Sequence, residues 1–232
     1  MRIGIIAEGP SDAEVLASIL KGWLGLDRAD LSFLRPDLGL DETDLNAPSA
    51  QRFSNWEIVK QECVERTKID GFLTAELDED RYLIVQLDAA ERGLPHYNVS
   101  VPPLPDDPAL SDPTLHLAGA ILAAILEWVG PPTPERLRAA VCIEEMDAWV
   151  LTRFVSSTTD LFPNPKERLE RELQRSNEFS DKERKQLLRL PARQRYAELS
   201  KPFRKRKELN KAAEKSTSLR LFLKMLPDPP DP

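Results

Sequence analysis

Three apolar segments of this chain end in acidic residues, whose carboxylates could bind a metal or move a proton. The segments and their acids are residues 3–7 with Glu8, residues 82–88 with Asp88, and residues 139–145 with Glu144 and Glu145. An acid after a single strand is ordinarily a solvated loop residue. The carboxyl ends of parallel strands, however, meet at one edge of a sheet, where open α/β sheets bind ligands. We therefore expect these acids to converge.

Converging carboxylates predict a metal site. Like charges raise each other's pKa values unless a cation lies among them, and oxygen ligands of this kind suit Mg²⁺ or Mn²⁺. Gly9 directly follows Glu8, which allows either a turn with positive φ or a close backbone approach to a ligand. Asp12 lies one turn further on, and it can be the N-cap of the next helix, a metal ligand, or both.

The elements that must hold these acids alternate between strands and helices. Strands are expected at residues 3–7, 31–35, 82–88 and 139–145, and helices at residues 12–24, 54–69 and 114–129. This alternation predicts an α/β fold with a mostly parallel central sheet flanked by helices.

The balance of charge changes near residue 160. Residues 161–232 hold 19 Lys and Arg against 11 Asp and Glu, whereas residues 1–160 hold 13 against 28. We therefore expect an α/β domain at residues 1–160, a basic helical C-terminal region at residues 161–226 and a disordered tail at residues 227–232. The acidic part is expected to bind cations, and the basic part to attract a polyanion such as nucleic acid.

The best candidate for contact with a nucleic-acid backbone is the segment KPFRKRKELNKAAEK, residues 201–215. Neutralising phosphates with such residues gives an affinity that depends on salt and not on sequence. The candidate nucleic-acid-binding residues are Lys201, Arg204, Lys205, Arg206, Lys207 and Lys211. Two other interpretations stay open for this segment, a solvated helix face and a docking surface for an acidic partner.

Other classes of chemistry find no support in the sequence. It has no Walker A motif, so any use of ATP requires a partner, and no Ser-His-Asp or Cys-His arrangement can be recognised. Cys63 and Cys142 are expected to be reduced core thiols. The longest apolar stretch, residues 115–129, is too short and too polar to cross a bilayer. The first residues are typical of a strand rather than a signal peptide, so we expect a cytoplasmic protein.

Three short motifs resemble those of Toprim domains. IIAEGPSDAEVL is similar to the opening motif, a strand followed by Glu-Gly and a helix, in the form with an acid four residues later that overcoming-lysogenization-defect (OLD) nucleases have. LIVQLDAAE is similar to the second motif, a strand that ends in Asp. IEEMDAWVL resembles a motif of small, uncharacterised Toprim-like proteins that often accompany an ATPase in bacterial anti-phage systems. The resemblance covers roughly residues 1–155.

The resemblance implies roles for the acids that match these motifs. Glu8 matches the Toprim glutamate, which is thought to act as a general acid or base or as a metal ligand. Asp88 matches the first acid of an Asp-x-Asp pair. Either Glu145 or Asp147 matches the third acidic position.

The chain departs from the Toprim pattern at one position. The second acid of the Asp-x-Asp pair falls on Ala90, and the nearest acid is Glu91. If the chain enters a helix after Asp88, Glu91 and Asp88 still face the same way; if it does not, a second metal is lost. The expected catalytic residues are Glu8, Asp88 and Glu145, and the expected metal ligands are Glu8, Asp12, Asp88, Glu91, Glu145 and Asp147.

The resemblance implies a Toprim-like fold and cleavage of phosphodiester bonds in DNA or RNA with Mg²⁺ or Mn²⁺. A cation held by carboxylates neutralises charge on the attacking and leaving oxygens and lowers the pKa of the attacking water. The resemblance further implies the effector subunit of an anti-phage system with an ATPase partner, and a homodimer stays open. Two alternatives also stay open: a binding or regulatory subunit with a degraded site, and a phosphotransfer or nucleotide-processing enzyme.

Overall fold

A computed structural model describes residues 1–38, 54–75, 79–94, 97, 99–104 and 112–230 of the chain. In these parts, four parallel strands form one sheet in the order β2-β1-β3-β4. The strands are β1 (Arg2–Ile6), β2 (Leu31–Arg35), β3 (Arg81–Asp88) and β4 (Leu137–Cys142). The prediction of an α/β fold with a parallel central sheet flanked by helices is confirmed.

Helices flank the sheet and make up most of the C-terminal region. The α-helices in the described residues are α1 (Pro10–Leu24), α2 (Trp56–Glu65), α3 (Thr67–Leu73), α4 (Pro113–Val129), α5 (Asp147–Leu151), α6 (Pro165–Arg175), α7 (Asp181–Arg189), α8 (Ala192–Leu199), α9 (Arg206–Lys215) and α10 (Thr217–Met225), and two short 3-10 helices lie at Arg28–Asp30 and Lys201–Arg204. None of them combines the length and the apolar character that a membrane span requires. Of the expected tail, residues 227–230 lie outside helices and strands, and residues 231–232 lie outside the described residues.

The register of the strands brings three carboxyl ends to one edge of the sheet. Ile6 of β1 pairs with Val85 of β3, and Asp88 of β3 pairs with Cys142 of β4. Because the strands run in the same direction, the chain leaves β1, β3 and β4 at the same edge. The segments that carry the predicted acids are therefore neighbours in space.

Both faces of the sheet are buried, and alternate strand residues face different cores. Ile5 and Ile84 face a core formed with α1 and the C-terminal helices. Leu83 and Val85 face a second core formed with α2, α3 and α4. Burial of both faces explains why these strands consist mainly of consecutive apolar residues.

The C-terminal region packs on the sheet through the first of these cores. Leu169, Tyr196 and Phe203 belong to the same cluster of buried side chains as β1 and α1. The approach to α1 is close, since a Cβ atom at Gly22 would lie 1.9 Å from the carbonyl oxygen of Phe203. A glycine is therefore required at this point of α1.

The first helix begins two residues earlier than predicted. Gly9 is its N-cap and Pro10 its first residue, because the fixed φ of proline suits a position whose N–H needs no helical partner. Asp12 is therefore the third residue of α1, and the prediction that it is the N-cap is wrong. Its carboxylate instead folds back toward Gly9, whose backbone N–H lowers the pKa of Asp12.

The last predicted strand ends three residues earlier than expected. β4 stops at Cys142, and Glu144 has a φ of 64°, a left-handed conformation that turns the chain away from the sheet. Glu145 therefore lies in the turn that leads into α5 rather than in a strand.

Candidate functional site

Glu8 and Asp88 are joined by a hydrogen-bond network across the carboxyl ends of β1 and β3. The Asp88 backbone N–H donates to Glu8 Oε1 at 2.5 Å. The buried side chain of Gln86 accepts from the Glu8 backbone N–H at 2.9 Å and donates through Nε2 to Asp88 Oδ1 at 2.7 Å. One oxygen of each carboxylate is thus held by the protein.

Gly9 allows the Asp12 carboxylate to fold back toward the end of β1. A Cβ atom at position 9 would lie 2.8 Å from Asp12 Oδ2, which is closer than Cβ atoms pack in proteins. Gly9 has a φ of −145°, which any residue adopts. The glycine therefore serves a close approach and not a turn with positive φ.

Asp147 is the buried acid of the third motif. The residue is 8% exposed, and its Oδ1 accepts a hydrogen bond from the Tyr196 hydroxyl of α8. The backbone N–H of the preceding residue, Met146, lies close enough to the Asp88 carboxylate to lower the pKa of Asp88. The start of α5 thus lies beside Asp88, and Tyr196 fixes Asp147 from the C-terminal region.

Trp149 anchors the short helix α5 that begins with Asp147. Its side chain is fully buried, stacks on Phe222 of α10 at 5.6 Å between ring centroids, and donates to Ser218 Oγ at 2.8 Å. The tryptophan of the third motif is therefore a core residue that fixes the position of the neighbouring acids.

Burial and mutual repulsion strongly raise the pKa values of Glu8 and Asp88. Burial raises the pKa of Glu8 to about 8, and the charges of Asp12 and Glu91 add to the effect. Burial also raises the pKa of Asp88 well above its usual value, with further contributions from Asp12 and Glu8. The Asp88 backbone N–H lowers the pKa of Glu8, and the Met146 backbone N–H lowers that of Asp88, without cancelling the shifts.

Asp12 and Asp147 are subject to the same effects. Burial raises the pKa of Asp12 to about 7, and the charges of Asp147 and Glu145 raise it further. Burial raises the pKa of Asp147 to about 6, opposed by the hydrogen bond from Tyr196 and increased by Glu145. Lys166 lowers the pKa of both groups.

Each of the six predicted metal ligands lies close enough to another of the six for their charges to interact. Five of them, which we call the acidic cluster, are Glu8, Asp12, Asp88, Glu145 and Asp147. Glu91 is exposed at its margin, where its charge acts on Glu8. In the part of the chain that the structure describes, no group of three or more His, Cys, Asp or Glu side chains is arranged so that it could hold a metal ion.

The donor chemistry of the acidic cluster nevertheless fits Mg²⁺ or Mn²⁺. Mg²⁺ is usually held by one or two carboxylates, several waters and a substrate phosphate rather than by a cage of protein ligands. Asp88 and Asp147 provide such a pair, each with one oxygen already fixed, and the charge of Asp147 acts on Asp88. A cation beside them would relieve the repulsion that raises their pKa values.

Ala90 stands at the expected second acid of the Asp-x-Asp pair, and its backbone makes a hydrogen bond. The N–H of Ala90 donates to the carbonyl oxygen of Glu144 at 2.9 Å, and Arg92 forms an ion pair with the Glu144 carboxylate at 3.1 Å. Residues 90–93 form turns and not a helix. The chain therefore does not enter a helix after Asp88, which was the condition for the Glu91 and Asp88 side chains to face the same way.

Lys166 is a basic residue near the acidic cluster that sequence reasoning did not single out. It lies in the first turn of α6, three residues before Leu169 and seven before Leu173, and both leucines are buried in the core that includes α5. Residues at these spacings share one helix face, so Lys166 lies on the side of α6 that faces α5. This position agrees with its effect on the pKa values of Asp12 and Asp147.

Sequence reasoning also missed Gln86 and Tyr196, which hold two of the acids. Gln86 is a polar residue in an apolar strand, two positions before Asp88 and therefore on the same face, which is a local signal. Tyr196 is 49 residues away from Asp147 in sequence, and no local signal connects the two.

The predicted nucleic-acid-binding residues lie beside the C-terminal half of α1, away from the acidic cluster. Phe203 approaches Gly22, and Arg204 Nε donates to Ser18 Oγ at 3.4 Å. Gly22 is ten residues beyond Asp12, which corresponds to roughly 15 Å along a helix that rises about 1.5 Å per residue. A polyanion that contacts both places would have to span this distance.

The basic residues of the segment 201–215 differ in the contacts that their side chains make within the protein. Their contacts are Lys201 with Glu198 at 2.5 Å, Lys211 with Glu208 at 2.9 Å, and Arg206 with the carbonyl oxygens of Trp23 and Pro230 at 3.1 and 3.0 Å. Lys205 and Lys207 are exposed, and they are the members we expect to be most available to a ligand.

Comparison of the chain with protein-family models, with curated proteins and with solved structures gives no match. A functional assignment therefore has to rest on the acidic cluster and on the residues that surround it.

Proposed function

We propose that this protein is a Toprim-like, metal-dependent nuclease that cleaves phosphodiester bonds in DNA or RNA. The observation that carries the proposal is the junction of Glu8 and Asp88, two half-buried carboxyl groups at the carboxyl edge of a parallel sheet. Asp12, which is half-buried, and Asp147, which is buried, add two further acids beside them. Such a cluster is unfavourable in its anionic form unless a cation binds to it.

The proposal gives the acids different tasks. Asp88 and Asp147 bind Mg²⁺ or Mn²⁺, with Asp12 and Glu145 beside them. When bound, the cation supplies charge neutralisation at the phosphate and lowers the pKa of the attacking water. Glu8 exchanges a proton with the reacting oxygens, a task that a carboxyl group with a pKa of about 8 can perform near neutral pH.

Basic residues near the cluster and further along α1 suit an anionic substrate. In the proposal, Lys166 contacts the scissile phosphate, since its charge acts on Asp12 and Asp147. Lys205 and Lys207 contact phosphates of the nucleic-acid backbone that are distant from the scissile one. Contacts between lysines and backbone phosphates add affinity and make that affinity dependent on salt.

The proposal extends to the cellular role that the motifs imply. A cytoplasmic effector subunit that acts with an ATPase partner in anti-phage defence is consistent with the lack of a Walker A motif in this chain. In that arrangement the partner uses ATP and this protein cuts nucleic acid. A homodimer is compatible with the same role.

A second candidate function is a binding or regulatory subunit on the same fold. Ala90 at the expected second acid, with its N–H committed to Glu144, favours this reading. Such a subunit would keep the acidic edge without catalysis, and it would form a stable complex with its partner in the absence of metal.

An assay of the purified protein with Mg²⁺ or Mn²⁺ on DNA, RNA and tRNA tests the proposal. We expect cleavage of one of these polymers by the wild type and its loss in Glu8→Gln. The matched control is Glu135→Gln, because Glu135 is an exposed glutamate before β4 at the opposite edge of the sheet. No cleavage by the wild type contradicts the proposal and favours the binding subunit, whereas equal cleavage by Glu8→Gln rejects the role given to Glu8.

A further inference from the structure

Gln86 is a fully buried amide in the middle of an apolar strand. The residue is 0% exposed, as are its neighbours Val85 and Leu87. Burying an amide is unfavourable unless it makes hydrogen bonds, so an apolar side chain would suit the interior of β3 better. The hydrogen bonds that Gln86 makes therefore indicate why an amide is present.

Both hydrogen bonds of Gln86 connect the two strands that carry Glu8 and Asp88. Oε1 accepts from the backbone N–H of Glu8 at 2.9 Å, and Nε2 donates to the carboxylate of Asp88 at 2.7 Å. The amide is planar, so the two bonds fix the backbone of one acid relative to the carboxylate of the other. The loop is closed by the Asp88 N–H, which donates to Glu8 Oε1.

We propose that Gln86 is a positioning residue that sets the separation and the orientation of the Glu8 and Asp88 carboxylates. Its structural effect stands independently of the reaction, whereas its effect on turnover rests on the proposed nuclease function. A displacement of about 1 Å in a catalytic group can lower the rate by about 100-fold. Gln86 acts through the two acids and does not itself contact the phosphate.

Two substitutions separate the two hydrogen bonds. Gln86→Met keeps the length of the side chain and removes both bonds. Gln86→Glu keeps an oxygen that accepts from the Glu8 N–H and places a second oxygen against Asp88 Oδ1 in place of the donor. Gln61→Met, at an exposed position of α2, is the control for a glutamine-to-methionine change.

Hydrogen exchange of the Glu8 and Asp88 amides in the metal-free protein gives a readout that needs no activity. In Gln86→Met we expect both amides to exchange at least about 10-fold faster, because each loses the partner or the geometry that protects it. The Asp88 N–H is not bonded to Gln86, so its faster exchange reports that the Glu8 carboxylate has moved. In Gln86→Glu the Glu8 amide stays protected. Asp88 exchange in Gln86→Met within about 2-fold of the wild type overturns the inference.

Kinetics then test the consequence for turnover. We expect Gln86→Met to lower kcat by about 100-fold and to leave KM within about 3-fold, because substrate binding does not involve Gln86. A wild-type kcat in Gln86→Met overturns the effect of Gln86 on turnover, whereas the exchange rates decide its structural effect. If the wild type itself cleaves nothing, the proposed function fails, and the exchange rates alone still decide whether Gln86 positions the two acids.

Discussion

Glu8 and Asp88 are 80 residues apart in sequence, and the backbone N–H of Asp88 donates a hydrogen bond to Glu8 Oε1 at 2.5 Å. The contact ties the first turn after β1 to the last residue of β3. It leaves two half-buried carboxyl groups side by side with no ion pair to a basic side chain among the described residues. The behaviour of this pair toward protons and cations is where the proposed function can be tested.

The stability of the metal-free protein should fall as the pH rises from about 4.5 to about 8. Glu8 and Asp12 have pKa values raised to about 8 and about 7 in the folded state, from ordinary values of 4.5 and 3.8. The folded protein therefore binds more protons than the unfolded chain in this window, and its advantage is complete at low pH and lost as each group ionises. With roughly 1.4 kcal/mol per pKa unit, we expect a loss of at least about 2 kcal/mol.

Urea unfolding at a series of pH values in the presence of a chelator measures this effect. The variant Glu8→Gln should show a shallower fall, because it lacks one of the groups that ionise. A free energy of unfolding that is constant or that rises between pH 5 and pH 8 would contradict the burial of these acids.

Gly9→Ala should displace the Asp12 carboxylate while leaving the fold intact. The new Cβ would lie 2.8 Å from Asp12 Oδ2, and a φ of −145° is accessible to alanine, so the strain falls on the side chain of Asp12. We expect weaker Mn²⁺ binding with a change in Tm of a few degrees. Gly71→Ala is the control, because its Cβ would meet nothing within 4 Å in α3. Mn²⁺ binding equal to that of the wild type would show that Asp12 is not needed for it.

Lys166→Met should lower kcat/KM for the anionic substrate. The side chain is exposed, so we expect little change in Tm, and kcat/KM should fall by about 10- to 100-fold as one charge near the phosphate is lost. Lys182→Met removes an exposed lysine from α7 and serves as the control. If both variants have the same kcat/KM, Lys166 has no role at the site.

The double variant Lys205→Gln with Lys207→Gln should reduce the salt dependence of nucleic-acid binding. Each phosphate contact contributes about 0.9 to the slope of log K against log salt concentration, so we expect the slope to fall by nearly 2. The rate at saturating substrate should stay the same, since the neighbouring Phe203 contacts α1 at Gly22, about 15 Å along that helix from Asp12. An unchanged slope would assign the contacts to another surface.

The strand ends could be predicted from the sequence because their signals are local. An apolar run that stops at an acid marks Glu8 and Asp88 directly, and parallel pairing then brings the two ends to one edge. The same reasoning placed the start of α1 at Asp12, since it did not weigh the preference of Pro10 for the first helical position. It also extended β4 as far as Glu145, because the left-handed turn at Glu144 has no glycine to mark it.

The residues that hold the acids could not be predicted in the same way. Tyr196 reaches Asp147 from a region that the charge pattern assigns to nucleic-acid binding, and only the packing of α8 on the first core brings them together. Lys166 is one of many basic residues in that region, and its proximity to the acids follows from the burial of Leu169 and Leu173. Contacts of this kind depend on how helices pack, which short sequence patterns do not specify.

Titration of Mn²⁺ into the protein at pH 8, followed by calorimetry, tests the central claim most directly. We expect at least one Mn²⁺ to bind the wild type and the affinity of Asp88→Asn to be lower by about 10-fold or more. The control is Asp80→Asn, because Asp80 is an exposed acid that precedes β3 at the opposite edge of the sheet and pairs with Arg136 at 3.0 Å. An absence of Mn²⁺ binding by the wild type, or an equal affinity in Asp88→Asn, would contradict a metal-dependent site at the acidic cluster.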